Sequence, residues 1–255
     1  MLVDVELFTC RADNFGVLAR DRETGAAMLI DAPEEAPILE AVGRTGWKPS
    51  LLLVTHHHHD HVDANLALKR RFGLKIVGPE AEARDIPGID ETVRDGDVLR
   101  LGNQEIRVIG TPGHTAGHVC YHMPAAGIVF TADTLFALGC GRLFEAPPEA
   151  MFASLAKLAA LPGQTVVYCG HEYTAANARF ALSVDPGNAR LKARAARVEA
   201  LRAQGKPTLP TTIAEELATN PFLRAADPAI RATLGMEAAS DAQVFAELRR
   251  RKDNF

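Results

Sequence analysis

Thr55-His56-His57-His58-His59-Asp60-His61 directly follows an apolar run, Leu51-Leu52-Leu53-Val54. Five imidazoles and one carboxylate therefore stand where a buried strand should end. The remaining histidines, His114, His118, His122 and His171, all lie downstream. Strand ends and their loops are places where a rigid scaffold aims side chains at one point. Two further apolar runs end in the same way. Ile128-Val129-Phe130-Thr131-Ala132 leads to Asp133, and Val166-Val167-Tyr168-Cys169-Gly170 leads to His171. His114 sits in a Gly/Pro loop, Thr111-Pro112-Gly113-His114. Imidazole nitrogens and carboxylate oxygens without thiolate suit zinc, iron or manganese. Five histidines and two aspartates exceed one tetrahedral ion. They suit two ions that share a carboxylate, ~3.5–4 Å apart.

The elements around these residues change character along the chain. Residues 2–10 read as a strand, and 15–20 with 26–31 read as a hairpin around Glu23-Thr24-Gly25. Residues 33–42 have helical spacing with an acidic first turn. The all-apolar 51–54 is the kind of strand that both faces of a sheet cover. Residues 62–72 read as one helix, with Gly73 as its cap. Residues 79–91 read as loop, 92–124 as several strands, 128–133 as another strand, 147–161 as a helix and 166–171 as a last strand. From Thr174 onward no strand is expected, and 175–184, 189–204, 213–218, 228–234 and 242–252 read as helices. This is an α+β chain with a strand-rich domain over 1–172 and an all-helical domain over 173–255.

Composition excludes several classes. The 255 residues carry a net charge of −4, so no basic field favours nucleic acid. No apolar run approaches the ~20 residues that span a bilayer. The start, Met1-Leu2-Val3-Asp4-Val5-Glu6, lacks a signal-peptide pattern. A cytoplasmic monomer follows as the expectation, with neither nucleic acid nor membrane as partner. Cys10, Cys120, Cys140 and Cys169 form no CxxC pair and read as reduced and buried.

His56-x-His58-x-Asp60-His61, then His114, Asp133 and His171, resembles the ligand series of the metallo-β-lactamase superfamily. The resemblance implies an αββα sandwich of two mixed sheets. It implies His56, His58 and His114 on one metal, Asp60, His61 and His171 on the other, and Asp133 between them. His57 and His59 fall at the motif's variable positions and read as non-ligands. Two divalent ions per chain are implied, zinc first, with iron or manganese as alternatives.

Within the superfamily the chain looks like the glyoxalase II (hydroxyacylglutathione hydrolase) family. The stretches that carry this are Thr131–Phe136, Gly139–Arg142, Cys169–Thr174, Asp185–Asn188, Asn220–Arg224 and Arg250–Phe255. The family's activity would be hydrolysis of S-D-lactoylglutathione and related S-2-hydroxyacylglutathiones by a metal-bridging hydroxide. D-lactate and glutathione are the products, in methylglyoxal detoxification. Asp60 and Asp133 would act in catalysis. Glutathione would be held by the helical domain and its surroundings, through Arg142, Tyr173, Thr174, Ala175, Arg249 and Lys252. Arg142 stands where Lys is common, which keeps charge and changes geometry. Phe144 stands where Tyr is common, which removes a hydroxyl.

Plainer readings stand beside these. Arg249 to Lys252 can be a solvated basic helix end that complements the dipole. His118 reads as a neighbour that orients a ligand or as a satisfied core histidine, and His122 as structural. Asp31 ends a strand on the site face and can equally cap the following helix. Competing activities are a superfamily hydrolase of other thioesters or lactones, and a persulfide dioxygenase with one iron. A closed structural zinc site would be cysteine-rich, and this set is not.

Overall fold

The computed structural model describes residues 2–255. The chain divides into two compact units, one of Met1–Gly110 with Ala116–Phe130, the other of Thr111–Thr115 with Thr131–Phe255.

The first unit begins with a meander. Strands β1 (Val3–Cys10), β2 (Asn14–Asp21) and β3 (Ala27–Ile30) pair antiparallel, Val3 opposite Asp21 and Val17 opposite Ile30. Helix α1 (Glu35–Thr45) ends at Gly46, whose φ of 72° is the left-handed cap that glycine adopts without strain. Strand β4 (Pro49–Leu53) then joins β3 in parallel. Helices α2 (His59–Val62) and α3 (Asn65–Phe72) lead to β5 (Lys75–Pro79), parallel to β4, and β6 (Glu91–Val93) follows. The sheet order is β1-β2-β3-β4-β5-β6. Leu18, Leu29, Leu52 and Ile76 of the sheet share one core with Ile38 of α1 and Leu68 of α3. Each such side chain contributes roughly 1.5–3 kcal/mol on burial.

A second, antiparallel set comprises β7 (Val98–Leu101), β8 (Gln104–Gly110), β9 (Val119–Met123) and β10 (Ile128–Ala132). Polar bonds join it to the first sheet. The buried Tyr121 hydroxyl donates to the Val54 carbonyl at 2.7 Å, and the Val119 amide donates to the Thr55 carbonyl at 3.0 Å. These bonds grip the chain where β4 runs into the histidine stretch.

In the second unit, β11 (Leu135–Phe136) and β12 (Gly139–Cys140) form a short hairpin. Helix α4 (Pro148–Ala159) precedes β13 (Val166–Cys169). Helices α5 (Thr174–Val184) and α6 (Ala189–Ala203) pack around Ala178, Ala181 and Leu191. Strand β14 (Thr211–Thr212) precedes α7 (Ile213–Thr219), α8 (Pro228–Leu234) and α9 (Asp241–Asp253). A capping box of Ser240 and Gln243 starts α9. Phe222 stacks on Phe180 and meets Phe245 edge to face in this unit.

Three local expectations need correction. The helix read over 62–72 begins inside the histidine stretch and is interrupted, because the Ala64 amide leaves the helix to bond the Ala32 carbonyl at 3.0 Å. The stretch 79–91, read as loop, holds the end of β5, a 3-10 turn at Glu80–Glu82 and the start of β6. Beyond residue 174 a strand does occur. β14 pairs Val166 with Thr212 and is too short to show alternation.

Candidate metal centre

In the first unit the donors sit at the junction of β4 and α2. The chain is extended from Val54 to His58, so alternate side chains face opposite ways. His56 and His58 share one side, with ring centroids 4.8 Å apart. His57 faces the other way. Its amide and its Nδ1 both bond Glu82 Oε2, at 2.7 and 2.8 Å, and Glu82 Oε1 accepts from the Gly117 amide at 2.9 Å. His59 is 77% exposed.

Asp31 organises this half. Its backbone φ is 57°, a left-handed conformation unfavourable for a residue with Cβ. Its Oδ1 accepts from the Thr55 amide at 2.8 Å, and its Oδ2 accepts from Thr55 Oγ1 at 2.8 Å and contacts His61 Nδ1 at 2.8 Å. It does not cap α1, whose N-cap is Glu34. These bonds fix tautomers. A carboxylate only accepts, so His61 Nδ1 carries the proton and Nε2 presents a lone pair. Thr55 spends its hydroxyl proton on Asp31, so His56 Nδ1, 3.0 Å from Thr55 Oγ1, is the donor there and its Nε2 is likewise basic. Asp31, His56 and His61 offer donor atoms within 4.8 Å of one another. Asp60 is steadied by Asn14, whose Nδ2 donates to the Asp60 carbonyl and to its Oδ2, both at 3.1 Å. His118 is buried and stacks on His56 at 4.9 Å, which supports the orienting reading. Burial, then the nearby Arg107, lowers the pKa of His122, a structural histidine of β9.

In the second unit three donors converge. His114 Nε2 and His171 Nε2 lie 3.3 and 3.4 Å from the same atom, Asp133 Oδ2. His114 Nδ1 bonds the Arg142 carbonyl at 2.9 Å and so carries the proton. Its Nε2 lone pair thus faces a carboxylate oxygen, an arrangement stable only with a cation or an extra proton between them. This donor chemistry fits a divalent metal. Close packing sets the loop, since a Cβ on Gly113 would lie 2.8 Å from Met151 and one on Gly141 would lie 2.0 Å from the Asp133 carbonyl. His171 stacks flat on Tyr173 at 4.7 Å.

The residues expected to hold substrate are distributed unevenly. Arg142 is 67% exposed and 3.9 Å from Asp253. Tyr173 is partly exposed, whereas Thr174 is buried and accepts from the Thr208 hydroxyl at 2.6 Å. Ala175 lines a groove of about 640 Å³ with Arg179, Lys192 and Arg202. Lys252 is half-buried beneath the rings of Phe180 and Phe255. Burial lowers its pKa, and Arg249, Arg179 and Arg142 lower it further. Arg249 is only 4% exposed and donates to the Cys140 carbonyl at 2.8 Å and to Asp253 at 2.8 Å. It is not part of a solvated helix end.

Sequence reasoning missed Asn14, Thr55, Glu82 and Arg179, and left Asp31 undecided. All four cysteines are free and buried. Burial raises Cys10 and Cys169 to about 12 and Cys140 to about 11, which leaves these thiols unreactive.

Two family models match, the metallo-beta-lactamase superfamily over residues 17–171 and the hydroxyacylglutathione hydrolase C-terminus over residues 172–255. A hydroxyacylglutathione hydrolase of Mesorhizobium japonicum is 69% identical over 255 residues, covering 100% of both chains. One of Chelativorans sp. is 67% identical over the same length, also covering 100% of both. Among solved structures, ETHE1 from Myxococcus xanthus superposes with a TM-score of 0.70 at 25% identity, covering 97% of this chain and 90% of that one. TTHA1623 in a di-iron-bound form gives 0.65 at 26% identity, covering 86% of this chain and 100% of that one. The expected fold class is the one these structures share.

Proposed function

Because the chain belongs to the hydroxyacylglutathione hydrolase family of the metallo-β-lactamase superfamily, we propose that it hydrolyses S-2-hydroxyacylglutathiones, S-D-lactoylglutathione foremost. The observation that carries the reading is that Nδ1 of His56, His61 and His114 each meets an oxygen of Thr55, Asp31 or the Arg142 carbonyl, which leaves Nε2 of each for a metal. The donors divide as the family pattern has it. His56, His58 and His114 would hold one divalent ion and Asp60, His61 and His171 the other, with Asp133 available to both. Zinc is the first candidate, and iron and manganese suit the same donors. Bound there, the metals would polarise the thioester carbonyl and lower the pKa of water to about 7.

The chain's own residues do the rest. Asp31 holds His61 directly and His56 through Thr55. Asp60, steadied by Asn14, accepts the proton that the attacking water releases. The water oxygen bonds the carbonyl carbon as the C–S bond breaks, and the thiolate takes up the proton from Asp60, giving glutathione and lactic acid that ionises to D-lactate, in methylglyoxal detoxification. Residues 1–172 supply the donors and 173–255 the substrate platform. Lys252, Arg142 and Arg179 crowd positive charge that glutathione carboxylates relieve, Ala175 lines the groove beside Arg179, and the proposal extends this contact to its neighbours Tyr173 and Thr174. Arg249 serves by holding the 140–142 backbone. In this reading the enzyme is a cytoplasmic monomer. Among the described residues no helix is long and apolar enough to cross a membrane. The test is turnover of S-D-lactoylglutathione beside non-glutathione thioesters by purified, metal-loaded protein. Absence of turnover on the glutathione thioester sinks the proposal.

A further inference from the structure

The segment from Asp133 to Arg142 folds back on itself as the β11–β12 hairpin. One of its ends is a donor and the other holds one. Asp133 opens it, and the Arg142 carbonyl that fixes His114 Nδ1 closes it, at 2.9 Å. The Gly141 amide ties the ends together through the Thr134 carbonyl at 3.2 Å. The hairpin has two residues in each strand, too little ladder to hold itself. Its apex residue, Leu138, has a φ of 60°, disfavoured for a residue with Cβ.

Side chains of the helical segment hold it instead. Asn177 Nδ2 donates to the Ala137 carbonyl at 3.1 Å, and Glu216 Oε2 accepts from the Leu138 amide at 2.8 Å. Asn220 Nδ2 donates to the Phe136 carbonyl at 3.2 Å and to the Gly139 carbonyl at 3.0 Å. Phe136 and Gly139 are cross-strand partners, so one amide closes the turn from both sides. Asn220 is fully buried, and its Oδ1 accepts from the Phe222 amide at 3.0 Å, so its orientation is fixed. Removing it strands two buried carbonyls beside the donors. Asn220 opens Asn220-Pro221-Phe222-Leu223-Arg224, a stretch the proposed activity leaves without a role.

We infer that Asn220 is a positioning residue that sets Asp133 and His114 through the hairpin, so that the helical segment shapes the metal donors as well as carrying substrate. The kinetic part rests on the hydrolase reading; the metal-binding part does not. Asn220→Ala and Asn177→Ala are compared with the unaltered protein and with Ile230→Ala, a buried change in α8 outside the hairpin's bonds. The readouts are zinc affinity by chelator competition, Tm, and kcat and KM on S-D-lactoylglutathione. Asn220→Ala should bind zinc about 10–100-fold more weakly and lose kcat with KM little changed. Asn177→Ala should move the same way by less. Ile230→Ala should lower Tm alone. If Asn220→Ala lowers Tm while zinc affinity and kcat stay at the unaltered values, the inference is overturned. Should Asn220→Ala fail to fold, Asn177→Ala decides: weaker zinc supports the inference, and unchanged zinc overturns it. An unaltered protein that binds zinc yet hydrolyses no glutathione thioester sinks the activity reading and leaves the zinc comparison standing.

Discussion

The donor cluster around Asp31 and the cationic face around Lys252 treat charge in opposite ways. Around Asp31 one carboxylate accepts from the Thr55 amide and hydroxyl and meets His61 Nδ1, and the Thr55 hydroxyl in turn meets His56 Nδ1, so two imidazoles are held by their Nδ1 atoms. Around Lys252 the cations are in excess. Arg142, Arg179 and Arg249 push on a half-buried ammonium, and Asp253 is the nearby counter-charge. One region is prepared for cations and is stiff. The other is prepared for anions and keeps long, partly exposed side chains. The difference suits a centre that keeps its ions and exchanges its substrate.

The largest effect is expected at Asp31. Asp31→Ala removes the acceptor for Thr55 and His61 together. It should weaken zinc binding about 10–100-fold, measured by chelator competition. Unchanged affinity would show that the tautomers are set elsewhere. At the other end, Lys252→Glu should raise KM for glutathione thioesters about tenfold, some 1.4 kcal/mol, with kcat and zinc affinity little altered. An unchanged KM removes the helical tail from the pocket.

A third test separates metal-linked carboxylates from ordinary ones. Asp21 is held near a pKa of about 2 by the Thr24 hydroxyl first and then by the Asn103 amide. Its folded value lies below the unfolded one, so its stability is present above about 4 and lost as pH falls through about 2, about 1 kcal/mol after solvent screening. Asp21→Asn should flatten that part of the acid-unfolding curve and leave zinc affinity alone. The smallest effect is expected from Phe144→Tyr. A hydroxyl on this exposed ring, beside His114, should lower KM for glutathione thioesters about threefold.

The donors were legible because their types and spacing leave a mark in the chain. Their supports were not. Asp31 looks like a helix cap, because the left-handed turn that swings it towards Thr55 has no signature in a non-glycine residue. Glu82 lay in a stretch read as loop, and two of its partners are backbone amides that any residue could supply. Arg249 looked like surface because it begins a basic run. Yet it lies four residues after Phe245 and next to Leu248, on the buried face of α9, and that spacing was readable. The break between α2 and α3 depends on a bond from Ala64 to Ala32, a partner distant in sequence.

Glu82 has a bearing on attempts to transplant this centre. One carboxylate grips the backbone at His57 and at Gly117, and a Cβ on Gly117 would lie 2.7 Å from Glu82 Cγ. The two loops are therefore cast against a single buried anion, like two halves of a mould keyed by one pin. A strand–turn–helix graft that copied His56 to His61 would carry the donors without that key. The engineering unit is the histidine stretch together with Glu82 and Gly117, and its length is set by the fold rather than by the motif.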